Sequence, residues 1–293
     1  MDISNLEKAI NIFQNNKREV IAFDFNRTED DNPYTSKLGG TPYLPDNFIY
    51  PTIIKNKKIK NLSFMCQLNL QEIYEKVGES LLPNVGILQF YILSDYCVGE
   101  EGNLQNNQLF KIIYHKEINQ HNPTEELLKK INDKEYIKNY GNLIDGIFNM
   151  SFSKNIHYLN STDILSAYQI LKGETITHGY TSDTLIRHFL PEVCEVNYSR
   201  NYSNQEDYNK SYEILKIFEK YEDESPHHLF GFANFQGSDY MEMTEENLKK
   251  DYICLLQFSP FEEMFDCSMN FRIPKEDLIN LNFDNVIINM SCT

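Results

Sequence analysis

The stretch SKLGGTPYLP, Ser36 to Pro45, sets two glycines and two prolines ahead of two apolar segments, NLSFMCQL at 61–68 and GILQFYIL at 86–93. Glycine reaches positive φ without a Cβ penalty, and Pro42 and Pro45 hold their predecessors extended, so Gly39, Gly40 and Pro42 read as a stiff structural corner. A phosphate loop would need GxxxxGK[ST] or GxGxxG, and neither pattern is present. The segments after the corner are β-branched and aromatic without breakers, which predicts strands, and a third follows at LFKIIYH, 109–115. Strands this close in sequence favour antiparallel pairing.

The same order returns near the end of the chain. LGGTPYLP precedes FMCQLNL and GILQFYI in the first half, while LFGFANFQG precedes CLLQFSP and CSMNFRI in the second. Gly40 and Gln67 are 27 residues apart, Gly231 and Gln257 26. Matching order at matching spacing suggests two diverged copies of one unit, about 20–118 and 226–292. Between them, 119–225 carries helical patterns at 124–140, 161–172 and 206–221; the opening SNLEKAINIFQN reads as one more short helix and EVIAFDF, 19–25, as one more strand. YICLLQFS, MNFRI and NVIINM add closing strands. The expectation is a single α+β domain over 1–293, mainly antiparallel sheets with peripheral helices, in two related halves.

Charge is distributed unevenly. The chain carries −16 overall; residues 1–60 hold 9 basic and 8 acidic groups, residues 221–293 hold 4 and 14. Such a field repels nucleic acid and anionic lipid and suits a basic protein partner, a cationic toxin for example. The basic run KNKKIK at 55–60 is short and reads as a solvated turn. No apolar run reaches about 18 residues and the start lacks the order of a secretory signal, so a cytoplasmic location without membrane contact is expected. Six cysteines without a CxxC pair are expected to stay thiols in a reducing compartment, with neither disulfides nor structural zinc. Oligomeric state leaves no mark in the sequence.

In order, SKLGGTPYLP, FMCQLNLQEI, LLPNVGILQFYI and FKIIYH resemble the bacterial YwqG-like proteins, a domain of unknown function. HHLFGFANFQ resembles a second Gly-Gly-x-Pro-x-x-x-Gln segment of that family, and LLQFSPFEEMFDCSMNFRIPKEDL through FDNVIINMSC resembles its C-terminal strands. The resemblance is clearest at 34–118 and 226–292. Departures are specific: the chain has no tryptophan, Phe265 and Met290 stand where the family carries one, and Phe230-Gly231-Phe232-Ala233 replaces the second Gly-Gly-x-Pro. The resemblance implies an α+β fold rich in antiparallel sheet and no established activity.

Candidate site residues follow from burial costs and spacing. Gln67 and Gln257 fall at matching places in apolar strands, and an unpaired buried amide costs about 1–3 kcal/mol, so each needs a partner. Either they bond to the corner backbone, or they line a ligand pocket between the halves together with His228 and Asp239. His227 and His228, adjacent on an extended segment, face opposite sides, so only one could join Asp239 around a metal, and no metal or cofactor is expected. His115 and His121 lack a third ligand at suitable spacing. No GxSxG is present; aligning the halves pairs Cys254 with Phe64 and Cys66 with Leu256, which makes both thiols core fillers and leaves Cys97 as the one to test for reactivity. The leading expectation is a binding or interaction protein rather than an enzyme; the alternative is a ligand receptor or enzyme with a polar pocket between the halves.

Overall fold

The computed structural model describes residues 17–93, 109–119, 146–158, 226–231, 252–258 and 267–292, with Glu125, Leu128, Lys129 and Ile144. At its centre β1 (Lys17–Thr28) pairs with β8 (Ile147–Tyr158) along its whole length, antiparallel, from Lys17 opposite Tyr158 to Thr28 opposite Ile147. Outward from β8 come β2 (Lys37–Gly39), β5 (Ser63–Asn69), β6 (Ile87–Ile92) and β7 (Phe110–His115). Outward from β1 come β9 (His228–Leu229), β10 (Tyr252–Phe258), β11 (Cys267–Pro274) and β12 (Ile287–Cys292). Every neighbouring pair in this ten-stranded sheet is antiparallel. A separate hairpin joins β3 (Thr52–Lys55) to β4 (Lys58–Asn61).

The sheet curls on itself. β6 and β11 lie seven places apart in the strand order, a separation of roughly 34 Å if the sheet were flat. Yet the Phe271 ring meets Phe90 at 5.2 Å and Phe110 at 5.7 Å. Only a half-barrel permits this, and its concave side holds the main core, in which Leu38, Cys66, Leu68, Leu88 and Phe90 pack with Leu229, Leu256, Phe271 and Ile273. A smaller core of Leu44, Tyr50, Leu62, Tyr91, Leu93 and Leu109 is a separate cluster.

Helix α1 (Leu70–Val77) starts where Asn69 caps it, accepting from the N–H groups of Gln71 and Glu72, and stops at Gly78, whose φ of 77° a side chain would resist. Leu70, Ile73 and Val77 give it one buried face. α2 (Lys275–Ile279) is a five-residue piece that buries Leu278.

These observations correct the expected architecture. The described residues form mostly antiparallel sheet curled into a half-barrel, with α1 the only helix of two turns or more among them, so this is not an α+β arrangement with peripheral helices. The physical reason is the curl, because a sheet that encloses its own apolar face needs no helical layer over it. Of the helical patterns read from sequence, Glu125, Leu128 and Lys129 within 124–140 are described and helical; those at 4–15, 161–172 and 206–221 lie outside the described residues. KNKKIK forms the turn and second strand of the β3–β4 hairpin, with Asn56 and Lys57 at positive φ.

Candidate functional site

Two corners flank the central strand pair, and the first is fully described. Gly39 and Gly40 both take φ of 71°, and a Cβ on Gly40 would run into the Asp31 carboxylate. That carboxylate grips the corner: Oδ1 accepts from Lys37 Nζ at 2.6 Å and from the Thr41 N–H at 2.8 Å, and Oδ2 accepts from the Thr41 hydroxyl at 2.7 Å. The Lys37 side chain is wholly buried. Burial lowers the Lys37 pKa, with the Asp31 carboxylate pulling the other way. Burial works to raise the Asp31 pKa, but the bonds from Lys37 and Thr41 outweigh it and hold the carboxyl below its usual value.

Beneath the corner lies an amide network. Gln67 Nε2 donates to the carbonyls of Pro33 and Thr35, both at 2.8 Å, and its Oε1 accepts from the Tyr43 N–H at 2.9 Å and from Gln89 Nε2 at 3.2 Å. Gln89 Nε2 also donates to the Tyr43 carbonyl, and its Oε1 accepts from the Tyr91 hydroxyl. His115 Nε2 sits 2.9 Å from that same oxygen, which can only accept, so the imidazole must present its Nε2–H there. Burial brings the His115 pKa down to about 4. Each side-chain amide hydrogen and lone pair of Gln67 is thus used inside the protein.

At the second corner His228 and Leu229 take the places of Lys37 and Leu38. The register sets His228 opposite Gln257 as it sets Lys37 opposite Gln67. Phe230 and Gly231 follow with φ of 69° and 74°, as Gly39 and Gly40 do. Both flanks slip register one residue earlier along the strand: between Phe64 and Cys66 on one side, between Cys254 and Leu256 on the other. Where a Cβ on Gly40 would meet Asp31, a Cβ on Gly231 would lie 2.6 Å from His157 Nδ1. The Lys37–Asp31 ion pair is therefore matched in place by two imidazoles, His228 and His157, buried with ring centroids 4.7 Å apart and edge to face. Burial, then His228 and Arg18, depress His157 to a pKa of about 3. His227 stacks on Phe23, and burial, partly opposed by Asp24, takes it to about 4.

Arg18, Glu19, Leu81, Phe230, Ile253 and Lys275 line a cleft of about 410 Å3 beside the second corner. Leu81 comes from the segment after α1, whereas Phe230, Ile253 and Lys275 belong to the opposite flank, so both sides of the half-barrel contribute walls. Arg18 donates from Nη1 to the Gly231 carbonyl at 3.2 Å, tying the cleft to the corner.

The residues singled out from sequence fall at both corners. Gln67, on β5, lies under the first corner, and His228 on β9 with Gln257 on β10 at the second, four and five places from β5 in the strand order. None of the three lines the cleft described above. Asp239, His121 and Cys97 lie outside the described residues. Cys66 and Cys254 are buried and in no disulfide, and burial pushes Cys66 well above its ordinary pKa. Sequence reasoning missed Asp31, Lys37, His157 and Arg18: Asp31 meets Lys37 and Thr41 across a loop whose path the residue pattern does not declare, and His157 and Arg18 reach the second corner from distant strands. Among the described residues no three of His, Cys, Asp or Glu converge as metal ligands.

The fold and its corners define a curled antiparallel-sheet protein with two gripped glycine turns. A family model for a domain of unknown function (DUF1963) matches residues 36–292, and the chain belongs to that family. No curated protein matches it.

Proposed function

We propose that this chain is a YwqG-like binding protein without chemistry of its own, built from a duplicated unit, whose contact site is the cleft at the seam of the two flanks. The observation that carries this reading is the cleft itself, since about 410 Å3 walled from both flanks is the size of small-molecule sites. Arg18 and Lys275 outnumber Glu19 among its charged groups, which favours a ligand with a carboxylate or phosphate. Support for duplication comes from the shared sequence of features on each flank: short strand, paired positive φ, register slip, glutamine. Among the described residues, Lys37 is engaged with Asp31 and Cys66 lies deep in the core.

The test is a ligand-detected NMR screen of small carboxylates and phosphates, repeated with Lys275→Glu at an exposed position. Binding that the native chain shows and the variant loses supports the reading. A screen without hits, or hits indifferent to the variant, refutes it. A second reading, a basic protein partner held by the acidic C-terminal quarter, is favoured by the 14 acidic and 4 basic groups of residues 221–293. Its mark is a partner released by rising ionic strength, and salt-insensitive capture counts against it.

A further inference from the structure

The β3–β4 hairpin forms a sheet of its own, and it and the residues just before it carry the most exposed large apolar side chains among the described residues. Ile54 and Ile59 face each other across the two strands, 76% and 75% exposed, and Ile49 just ahead is 88% exposed. The turn between them is stiff: Asn56 and Lys57 at φ 53° and 63° form the two-residue link that suits strand twist. Lys57 lies at the turn, Lys58 and Lys60 flank Ile59 along β4 on the opposite face, and residues 47–71 contain no Asp or Glu in a chain holding 43 of them. A stable hairpin has no internal need for outward isoleucines on a basic turn, and a solvated turn would be polar throughout.

We propose that this hairpin docks the protein on an anionic lipid bilayer, with the isoleucines entering the headgroup layer and the lysines meeting lipid phosphates and carboxylates. Apolar atoms on a projecting finger suit a lipid surface, which yields around them, better than a folded partner, which would need a matching socket. The net charge of −16 does not forbid contact, because at physiological salt only charges within about 8 Å of the lipid act fully, and those belong to the basic hairpin. At this one element membrane contact replaces the expected absence of it, independently of the seam cleft.

Co-sedimentation of the full chain with phosphatidylcholine vesicles, with and without phosphatidylserine, tests it. The native chain should bind only the anionic vesicles and release them as salt rises. Each lysine near the surface contributes about fivefold in affinity, so Lys57→Asn with Lys58→Gln should weaken binding roughly 30-fold. Ile54→Ser with Ile59→Ser should weaken binding while leaving the circular dichroism and melting temperature unchanged, since both side chains are largely exposed in the free protein. The idea is overturned by equal binding to neutral vesicles, by no binding to either, by variants that bind like the native chain, or by hairpin-dependent self-association in sedimentation velocity that ignores vesicles.

Discussion

Replacing Gln67 with methionine keeps the volume and removes four hydrogen bonds at once. Three serve backbone groups: the Tyr43 N–H, buried, and the Pro33 and Thr35 carbonyls, partly buried. The fourth satisfies Gln89 Nε2, which keeps its bond to the Tyr43 carbonyl. A buried group left unpaired costs about 1–3 kcal/mol. The Tyr43 N–H should therefore cost about 2 kcal/mol, and each carbonyl about 1 kcal/mol, because a loosened corner lets water reach them. The sum is roughly 4 kcal/mol, a large share of the total stability of an ordinary domain. Urea unfolding followed by far-ultraviolet circular dichroism reads this loss, provided the slope with denaturant is unchanged. Amide exchange locates it, since Tyr43 should lose protection while strands of the main core keep theirs. A loss below about 1 kcal/mol with Tyr43 still protected would refute the view that Gln67 is the staple of the corner.

Gly40→Ala and Gly78→Ala both force a side chain to positive φ, which costs about 1–2 kcal/mol, but only Gly40 would also meet a neighbour, Asp31, while nothing lies within 4 Å at Gly78. Gly40→Ala should therefore lower the unfolding midpoint clearly more than Gly78→Ala does. His115, His157 and His227 have folded pKa values of about 4, 3 and 4, against an ordinary 6.5. The unfolded chain binds more protons between those values, so the contribution is full above pH 6.5 and is lost as pH falls toward 3, by at most about 4 kcal/mol per unit while all three titrate. Melting temperatures at pH 7 and pH 5 should differ sharply, and His157→Gln should reduce that difference; a flat profile would contradict the burial argument. Cys66 and Cys254 should resist thiol reagents until the chain is denatured, read by mass mapping of the labelled sites, and fast native labelling at either would mean the core opens readily.

Strand existence was legible in the sequence wherever apolar and aromatic residues ran together, as in GILQFYIL, where Ile87 to Ile92 are all buried. The corner was legible too, because glycine pairs and prolines declare backbone geometry directly. β8 was overlooked although Phe148, Met150 and Phe152 alternate with Asn149, Ser151 and Ser153, a period-two signal diluted by the exposed run Ser153 to Ile156. α1 hid behind β5, since Asn69 both ends the strand and caps the helix without a break in apolar pattern. The α+β expectation failed because periodicity reports which face of an element is apolar and says nothing about whether a sheet will curl to cover that face itself. The ion pair of Asp31 with Lys37 and the imidazole pair of His157 with His228 were invisible for a related reason: burial of a charge depends on what folds over it.

The strand order holds a further consequence for how the chain behaves as a unit. β1 precedes β2 in sequence but pairs with β9, while β8 precedes β9 but pairs with β2. Each flank thus rests on a lead strand from the other half of the chain. The central register makes the exchange symmetric about Asp24 and Ser151, which face each other. A half taken alone would lose the strand beside its corner, exposing an edge of unpaired backbone and the apolar face that Phe90, Phe110 and Phe271 close together. We propose on this ground that the flanks unfold together as one domain, despite their likeness. Two independent repeats would each keep their own lead strand and melt separately, whereas exchange of that strand makes the stability of each corner depend on the other.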